Sequence, residues 1–415
     1  MRILNVTHLY RPVIGGAEQH ITDLSEELAH RGHQVDVYTI RSSKYQTWES
    51  DGQLTSNEIL GDVNVHRFNA FKRGPVTWKL LKRGLDGYWR SQAAYTAPLI
   101  MWGNGPVSLG LIRALWQHGR QYDVIHVNSL HYATVSYTYW LAKRLGVPFA
   151  ITPFVHIDQP AVFDIRFQNA VMRGADQVLT MTDKEQEYLE ARDVARERIA
   201  ITGIGLQLDR YPQLDRDECR RRLNLPLDAF IVLFLARKER YKGLSTVMAA
   251  CERLQAHYPN IYLIAAGPET EDSQRLRQQY AHLPQIIYYE SVPNQLKLEI
   301  FNTCDVFMMP SEGESFGIVY TEAWAVKKPV IGSTRGAIPS LITAGVDGYV
   351  IDPNDVSTAA LYLNELYQDP ARRERMGAAG YRKVAARYTV PRVVDIVEAA
   401  YVRMLRRRRT VLARS

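Results

Sequence analysis

The chain has 415 residues, which is too long for one ordinary domain, so two domains of roughly 200 residues each are expected. Hydrophobic residues make up 46% and charged residues 23% of the chain, a composition that excludes a disordered protein. The formal net charge of +7 favours an anionic ligand or surface, but for this length it is too small to indicate a nucleic-acid-binding protein.

The N-terminal stretch "MRILNVTHLY" begins like a strand and lacks the basic head, apolar core and cleavage site of a signal peptide. No window holds about 18 consecutive apolar residues, so no membrane-spanning helix is expected. The three cysteines, Cys219, Cys251 and Cys304, have neither disulfide nor metal-ligand spacing. These features predict a cytoplasmic protein in a reducing compartment.

Short apolar strands alternate with amphipathic helices through the first half of the chain. The predicted strands are "RILNVTH", "HQVDVYTI", "VNVHRF", "YDVIHVNS", "PFAITPF" and "DQVLTMT". The first helix, "GGAEQHITDLSEELAHRG", places Ala17, Ile21, Leu24 and Leu28 on one face. Near-continuous apolar strands between helices indicate a parallel sheet covered on both faces.

A glycine pair, Gly15 and Gly16, follows the first strand and opens the first helix. Without side chains, the two residues allow a ligand to approach the backbone closely, and a helix N-terminus favours an anion. The full G-x-G-x-x-G fingerprint of a dinucleotide site is absent, so a simple tight turn remains the alternative.

Two basic segments predict contact with an anionic membrane surface. Residues 71–103 mix lysine and arginine with tryptophan and tyrosine, and residues 403–415 are rich in arginine. Basic residues interleaved with aromatic ones suit a protein lying on anionic headgroups. The alternatives are an ordinary loop and helix with buried aromatics and, at the C-terminus, a solvated end.

The strand–helix pattern restarts in the second half, after a polar stretch that begins near residue 205. Its predicted strands are "AFIVLFLAR", "IYLIAAGP", "QIIYYES", "CDVFMMPS", "KPVIGS" and "DGYVID". Two doubly wound domains in series predict a cleft between them. Ligands of such sheets bind at the carboxyl ends of the strands, so the loops there are the candidate sites.

The first of these loops, "FLARKERYKGLSTVM", carries Arg237 at a strand end and Lys242 just before the next helix. Two cations at the carboxyl end of a buried strand suit the oxygens of a phosphate or diphosphate. A solvated charge run is the alternative, since Lys238 and Arg240 lie in the same loop.

The second loop, "PSEGESFGIVYTEAW", carries Glu314 and Glu322 around a helix predicted to begin near Gly317. A carboxylate accepts two hydroxyl hydrogens at once and therefore suits the vicinal diols of sugars and riboses. Glycoside hydrolases place two carboxyls on opposite sides of the scissile bond, which is hard to arrange from a single strand–loop–helix element. The loops together therefore predict a nucleotide-sugar site, with helix capping as the alternative for the glutamates.

With these features, nearly the whole chain resembles the retaining glycosyltransferases of family 4, which have the GT-B fold of two facing Rossmann-like domains. In the second half, the order and spacing of the family's E-x7-E block are matched by Pro310-Ser311, Glu314, Phe316-Gly317, Glu322-Ala323, Pro329-Val330 and Gly336. Further matches are Gly15-Gly16, "GLQLDRY", Arg237, Lys242-Gly243 and Gly267.

The resemblance implies an acceptor-binding domain over residues 1–205 and a donor-binding domain over 206–386, with a C-terminal helix, 387–415, packing back on the first. It also implies a role for each matched residue. Arg237 and Lys242 would bind the donor diphosphate and stabilise its charge as it leaves, and Glu322 would hold the ribose. Glu314 would bind the transferred sugar. Additional donor contacts would come from Gly15, Gly16, Ser315, Phe316, Gly317 and Ile318.

Two positions depart from the family pattern. Ala236 stands where a glycine is usual, and Phe154 replaces the first histidine of a T-P-H-x-H pattern. His156 occupies the second place and is assigned a catalytic role near the sugar or acceptor. His126 and His131, which lie at another strand end, are weaker rivals, and a structural role for His156 is the alternative.

The predicted function is retaining, metal-independent and cofactor-free transfer of a hexose from a UDP-, GDP- or ADP-linked donor. The expected acceptor is a hydroxyl of a lipid-linked, polysaccharide or glycolipid precursor of the cell envelope. The alternatives are a nucleotide-sugar epimerase of similar architecture and a non-catalytic protein that binds a nucleotide sugar. The expected location is cytoplasmic, peripheral on the inner face of the membrane, and no nucleic-acid partner is expected.

Overall fold

A computed structural model of the chain describes residues 1–13, 15–44, 46–93 and 95–412, and the chain divides into two compact units. The N-terminal unit begins with Met1–Gly205 and takes up the chain again from Val390, whereas the C-terminal unit is Leu206–Thr389. The last helix therefore belongs to the N-terminal unit and begins at Val390, compared with the predicted 387. Residues 413–415 of that prediction lie outside the described residues.

The N-terminal unit is built on one sheet with the order β3-β4-β2-β1-β5-β6-β7-β8. Its strands are β1 Arg2–Val6, β2 Gln34–Ile40, β3 Asn57–Leu60, β4 Val63–Phe68, β5 Val124–Asn128, β6 Phe149–Thr152, β7 Gln177–Thr180 and β8 Ile199–Ile201. All neighbouring strands are parallel except β3 and β4, which are antiparallel.

Helices lie between these strands and after the last one. They are α1 Gly16–His30, α2 Pro75–Ser91, α3 Thr96–Asn104, α4 Leu109–His118, α5 Ala133–Leu145, α6 Pro160–Phe163, α7 Arg166–Gly174, α8 Asp183–Glu190 and, at the end of the chain, α17 Val390–Leu412. Two buried apolar clusters cover the sheet: Leu4 belongs to one and Ile3 to the other. Because successive strand residues point to opposite faces, both faces of this sheet are covered, as the apolar strands predict.

The C-terminal unit has a wholly parallel sheet with the order β11-β10-β9-β12-β13-β14. Its strands are β9 Phe230–Leu235, β10 Ile261–Ala266, β11 Ile286–Tyr289, β12 Val306–Met308, β13 Val330–Ser333 and β14 Gly348–Ile351. Its helices are α9 Arg216–Arg222, α10 Leu244–Gln255, α11 Glu271–Gln279, α12 Asn294–Thr303, α13 Ile318–Ala325, α14 Ile338–Leu341, α15 Val356–Gln368 and α16 Pro370–Arg387.

Every apolar segment predicted to be a strand forms one, and the prediction of doubly wound parallel-sheet domains is confirmed. The sequence did not reveal β3 and β8. Strand β3 lies at one edge of the sheet with no fully buried residue, and β8 has only three residues at the other edge. Neither contains the buried apolar run by which the other strands were recognised.

Strand order reverses once in each sheet, between β1 and β5 and between β9 and β12. At such a switch point the loops that follow the two central strands diverge, which leaves a crevice at their carboxyl ends. In the C-terminal unit these are the loops that carry Arg237 and Glu314. The fold therefore brings together two sequence segments that are about seventy residues apart.

Residues 71–103 form a loop and the close pair α2 and α3. A Cβ atom at Gly103 would lie 2.4 Å from the Leu81 nitrogen, so glycine allows the two helices to touch. Most aromatic side chains of the segment remain accessible, including Trp78 at 48% and Trp89 at 47% exposure. The alternative of an aromatic core in this segment therefore holds for Tyr88 but not for these tryptophans.

Within the described ranges, no helix is both long enough and apolar enough to cross a membrane. The arginine-rich end of α17 is partly engaged with its own unit: Arg407 donates to the Asp176 carbonyl at 3.1 Å and to the Gln177 side chain at 2.9 Å. Arg408 donates to the Gly146 carbonyl. This part of the tail is therefore neither a free solvated end nor freely available to a membrane.

Candidate active site

The loop after β9 reaches the loop after β12 because of a glycine. Gly243 has φ +82°, and a Cβ atom there would lie 2.4 Å from the Pro310 carbonyl oxygen. The Glu312 amide also donates to the Tyr241 carbonyl at 2.7 Å, which ties the two loops together. A side chain at position 243 would force the loops apart.

This approach pairs two predicted site residues. Lys242 Nζ lies 2.5 Å from Glu314 Oε1, and both side chains are largely buried. Burial lowers the pKa of Lys242, but the charge of Glu314, its hydrogen bond to Lys242 and the contribution of Tyr241 together outweigh burial, so the net pKa is raised. Lys242 therefore stays protonated, and each charge is balanced by the other before any ligand binds.

Arg237 is different from Lys242. Its side chain is exposed, and no hydrogen bond or ion pair to its guanidinium is found among the described residues. The neighbouring Lys238 is buried, donates to the Tyr289 carbonyl at 3.3 Å and has a pKa lowered by burial. The Arg237 guanidinium is thus available to an anion, whereas Lys238 has a structural role.

The loop before α13 offers unpaired amides. Gly317 caps the helix with φ +86°, and a Cβ atom there would lie 2.6 Å from the Tyr320 ring. Over the described ranges, the backbone amides of Ser315, Phe316 and Gly317 have no hydrogen-bond partner. Ile318 follows as the first residue of the helix. Successive free amides at a helix N-terminus form a favourable site for an anion or a hydroxyl oxygen.

The Phe316 side chain is structural. It is 1% exposed, and its ring packs edge-on against Tyr388 with centroids 5.3 Å apart. Anchoring this ring holds the free amides of the loop in place, so only the Phe316 backbone is available to a ligand.

Glu322 lies within α13, is 4% exposed and is held by two side chains outside its own helix. The Tyr211 hydroxyl donates to its Oε1 at 2.5 Å, and Lys297 pairs with the same oxygen. Within the described part of the chain, Oε2 has no partner. One oxygen is thus fixed, whereas the other is a buried acceptor whose hydrogen-bonding capacity is unused among the described residues.

Sequence reasoning missed Tyr211 and Lys297 as parts of this site. The motif "GLQLDRY" includes Tyr211, which was the available signal, although its role was not foreseen. Lys297, on α12, belongs to no recognised motif, and only the tertiary fold brings it to Glu322. The donor residues predicted in the C-terminal unit lie in or directly after the loops at its switch point.

The other predicted residues, Gly15, Gly16 and His156, lie in the N-terminal unit. Gly15 is the extended N-cap of α1, with φ −164°, and its carbonyl accepts from Gln19 at 2.9 Å. This backbone angle is open to any residue, so a left-handed conformation does not explain the glycine. Gly16, the first helical residue, is exposed.

His156 follows β6 and stacks on Phe163 with ring centroids 5.5 Å apart. The preceding residues are held firmly: Phe154 has φ +50°, and the Val155 amide donates to Glu185 at 2.9 Å. Burial raises the pKa of Glu185 to about 7, although this bond and another from the Met181 amide oppose the rise. Glu185 therefore positions the loop that carries His156.

The rival histidines have different surroundings. His126 is fully buried between the Thr152 hydroxyl and the Tyr401 hydroxyl, both at 2.8 Å, which is a structural role. His131 packs edge-on against Phe163, the same ring that contacts His156. Burial lowers the pKa of His131 to about 3, so it is neutral near pH 7.

In the part of the chain that the structure describes, no group of three or more His, Cys, Asp or Glu side chains could hold a metal ion.

Comparison with known proteins gives the same division of the chain. Residues 15–205 match the family model "Glycosyl transferase 4-like domain", and residues 215–383 match "Glycosyl transferases group 1". A similar curated protein is the D-inositol 3-phosphate glycosyltransferase of Thermobifida fusca. It is 26% identical over 420 residues, which cover 93% of this chain and 88% of that protein.

Similar solved structures span the whole chain. The Anabaena HepE complex with UDP-glucose has a TM-score of 0.70 at 18% identity, covering 96% of this chain and 99% of that one. The sucrose-phosphate synthase of Thermosynechococcus elongatus has a TM-score of 0.71 at 22% identity and covers 100% of both chains.

The two doubly wound units and these matches define a glycosyltransferase with the GT-B fold. The two family models together account for most of the chain, which belongs to glycosyltransferase family 4.

Proposed function

We propose that the protein transfers a hexose from a nucleoside diphosphate sugar to an acceptor hydroxyl with retention of configuration. The observation that carries the proposal is the group of free amides at residues 315–317, next to the ion pair of Lys242 and Glu314. Phosphate oxygens suit the amides and the cation, and sugar hydroxyls suit the carboxylate. A nucleotide sugar carries both kinds of group.

In this proposal the diphosphate binds Arg237, Lys242 and the amides before α13. Arg237 has no side-chain partner to lose within the described residues, and Lys242 stays charged beside Glu314. Gly15 and Gly16 are assigned to the diphosphate as well. The ribose hydroxyls bind Oε2 of Glu322, and Glu314 binds the hexose.

Catalysis would come from positioning and from charge. As the bond to the sugar breaks, negative charge builds on the leaving diphosphate, and fixed cations and amide dipoles stabilise it. Arg237 and Lys242 supply the positive charge that a metal ion supplies elsewhere, so the reaction is proposed to be metal-independent. Attack on the same face as the leaving group accounts for retention, and His156 is assigned to the sugar or the acceptor.

The donor class draws support from the similar structures. HepE of Anabaena was crystallised with UDP-glucose, and UDP-, GDP- and ADP-hexoses are the donors to test here. The proposed acceptors are lipid-linked, polysaccharide or glycolipid precursors of the cell envelope. The proposed location is the cytoplasmic side of a membrane, with peripheral attachment.

A donor panel tests the proposal without knowledge of the acceptor. We expect slow hydrolysis of one or a few UDP-, GDP- or ADP-hexoses, unaffected by a chelator and slowed about tenfold to a hundredfold in Lys242→Ala. The anomeric configuration of the released sugar, read by NMR before mutarotation, tests retention. Conversion of the donor into another nucleotide sugar would favour an epimerase, and binding without turnover, even with acceptors added, would favour a non-catalytic protein.

A further inference from the structure

The segment between β4 and α2 of the N-terminal unit contains a buried cation that the proposed mechanism does not use. Arg73 is 8% exposed, and its guanidinium lies over the Trp78 ring at 3.5 Å. One of its terminal nitrogens donates to the Asn104 side-chain oxygen at 3.3 Å. Its Nε has no hydrogen-bond partner among the described residues.

Among the described residues, no carboxylate is paired with this charge. Over the described ranges, no Asp or Glu forms an ion pair with Arg73. Glu18, a buried carboxylate in the same unit, is paired with His8 at 2.8 Å. Burial lowers the pKa of Arg73, which is the expected sign for a cation taken out of water without a counter-charge. Burying a guanidinium without a counter-charge costs free energy unless an anion pairs with it.

Arg73 lines a small cavity. The cavity is lined by Arg73, Trp48, Thr77, Phe71 and Trp102, with backbone from Gly105. Phe71 and Trp102 are 49% and 45% exposed, and their ring centroids are 5.3 Å apart, so they form an accessible aromatic rim. The lining of the cavity thus combines a buried cation with two exposed aromatic rings.

A chain of contacts within the same unit connects this cavity to His156. The Asn104 side chain accepts from Arg73 and donates to the His131 carbonyl at 2.5 Å. The His131 ring packs on Phe163, and Phe163 stacks on His156. The cavity is therefore connected, through Asn104, His131 and Phe163, to the histidine that the proposed reaction assigns to the sugar or the acceptor.

We infer that this cavity, the Arg73 pocket, binds an oxyanion, a phosphate or a carboxylate, carried by the acceptor. The planar guanidinium pairs with two oxygens of such a group, and the Phe71 and Trp102 rings pack against the sugar or apolar part next to it. Assignment of the ligand to the acceptor rests on the proposed function, whereas oxyanion binding by Arg73 does not.

The test is titration calorimetry on the full chain at constant ionic strength with glucose 6-phosphate, glucuronate, inorganic phosphate and glucose. We expect saturable binding of at least one anion and none of glucose. Arg73→Gln should weaken this binding about tenfold or more, because it removes a charge-assisted contact. Arg83→Gln, which removes the same charge from the exposed side of α2, should leave binding unchanged.

Two additions make the test decisive. Repeating the titrations in Lys242→Ala excludes anions bound at the proposed diphosphate site. Arg73→Lys, which keeps the charge but not the planar fork, should bind with intermediate affinity. Absence of saturable anion binding by the wild-type protein, or equal affinities in Arg73→Gln and Arg83→Gln, would overturn the inference.

Phosphatidylglycerol vesicles separate a lipid headgroup from a free sugar acid or phosphate as the source of the oxyanion. Vesicle binding that requires Arg73 would support the pocket and identify the headgroup. If Arg73→Gln binds vesicles as the wild-type protein does but loses affinity for glucose 6-phosphate or glucuronate, the source of the oxyanion is a free sugar acid or sugar phosphate. Anion binding at Arg73 without transfer from any donor would refute the proposed function and leave the pocket standing.

Discussion

Lys242 Nζ and Glu314 Oε1 lie 2.5 Å apart at the switch point of the C-terminal sheet, so the predicted diphosphate cation and the predicted sugar carboxylate form a single ion pair. The sequence suggested separate roles for the two residues. Their contact means that a substitution of either one also leaves the other largely buried and unpaired.

We expect Lys242→Ala and Arg237→Ala each to lower kcat/KM about tenfold to a hundredfold, since each removes a charge-assisted contact worth roughly 1.5–3 kcal/mol. Lys242→Ala should also reduce stability, whereas Arg237→Ala should not, because Arg237 is exposed and lacks a side-chain partner within the described residues. Donor hydrolysis and urea denaturation measure the two effects. Arg240→Ala, in the same loop and exposed, is the control, and near-normal kcat/KM in both variants would remove the diphosphate assignment.

The pair also predicts strong coupling between its two members. In a double-mutant cycle, Lys242→Met and Glu314→Gln together should cost less stability than the sum of the single changes, because the double variant leaves neither charge unpaired. Urea denaturation of the four proteins measures the coupling. Strict additivity would mean that the ion pair does not form in solution.

Glu322 should mainly govern donor affinity. Tyr211→Phe removes the hydroxyl that holds Oε1 but leaves the free Oε2 in place, so the donor KM should rise several-fold with kcat little changed. Glu322→Gln should raise KM further. Tyr262→Phe, on β10 of the same unit, is the matched control, and a Tyr211→Phe variant that lost kcat at constant KM would contradict this role.

Gly243→Ala should disturb the site through the backbone. Both Gly243 and Gly345 have positive φ, at +82° and +78°, but only at Gly243 would a Cβ atom meet another group, the Pro310 carbonyl. Gly345→Ala should therefore cost about 1 kcal/mol from backbone conformation alone, and Gly243→Ala more, with a higher donor KM. Urea denaturation and donor kinetics check this, and equal behaviour of the two variants would show that the close approach is unimportant.

Glu185 should make stability depend on pH. Its pKa in the fold is about 7 against 4.5 for an ordinary glutamate, so the native state holds the proton more tightly than the unfolded chain does. This contribution to stability is fully present below pH 4.5 and is lost as the pH rises through about 7, by up to ~3 kcal/mol.

Urea denaturation at pH 5 and pH 7.5 measures the effect. The free energy of unfolding of the wild-type protein, relative to that of Glu185→Gln, should be lower at pH 7.5 than at pH 5. Glu187→Gln, on the exposed side of α8, should show no such change. A wild-type advantage over Glu185→Gln that stayed constant with pH would contradict the raised pKa.

The proposed membrane attachment should depend on α2. Trp89 is 47% exposed and lies on the same helix as the exposed cations Arg83 and Arg90, whereas Arg407 of the tail is engaged by its own unit. We expect co-sedimentation with anionic vesicles at low salt, weakened by Trp89→Ser and by raised salt. Trp140→Ser, which replaces a 77% exposed tryptophan on α5, is the control, and failure to bind such vesicles would end this proposal.

Local sequence identified most of the fold because a buried parallel strand must be apolar along its whole length. The runs "AFIVLFLAR" and "CDVFMMPS" have the continuous apolar composition of buried parallel strands, and the glycines and polar loops between the runs marked the strand ends. Strands β3 and β8 were not predicted because edge strands need no continuous apolar run. The E-x7-E block could indicate a candidate donor site for a similar reason, since its residues are neighbours along one loop and helix.

The sequence by itself thus determined the two doubly wound domains, the family and the chemical groups of the candidate donor site. The tertiary structure alone decided which groups meet: Lys242 with Glu314, Lys297 and Tyr211 with Glu322, and Arg73 with no carboxylate among the described residues. The physical reason is that propensity and apolar periodicity act over a few residues. Charge pairing depends instead on how distant loops pack, which no local pattern in the chain encodes.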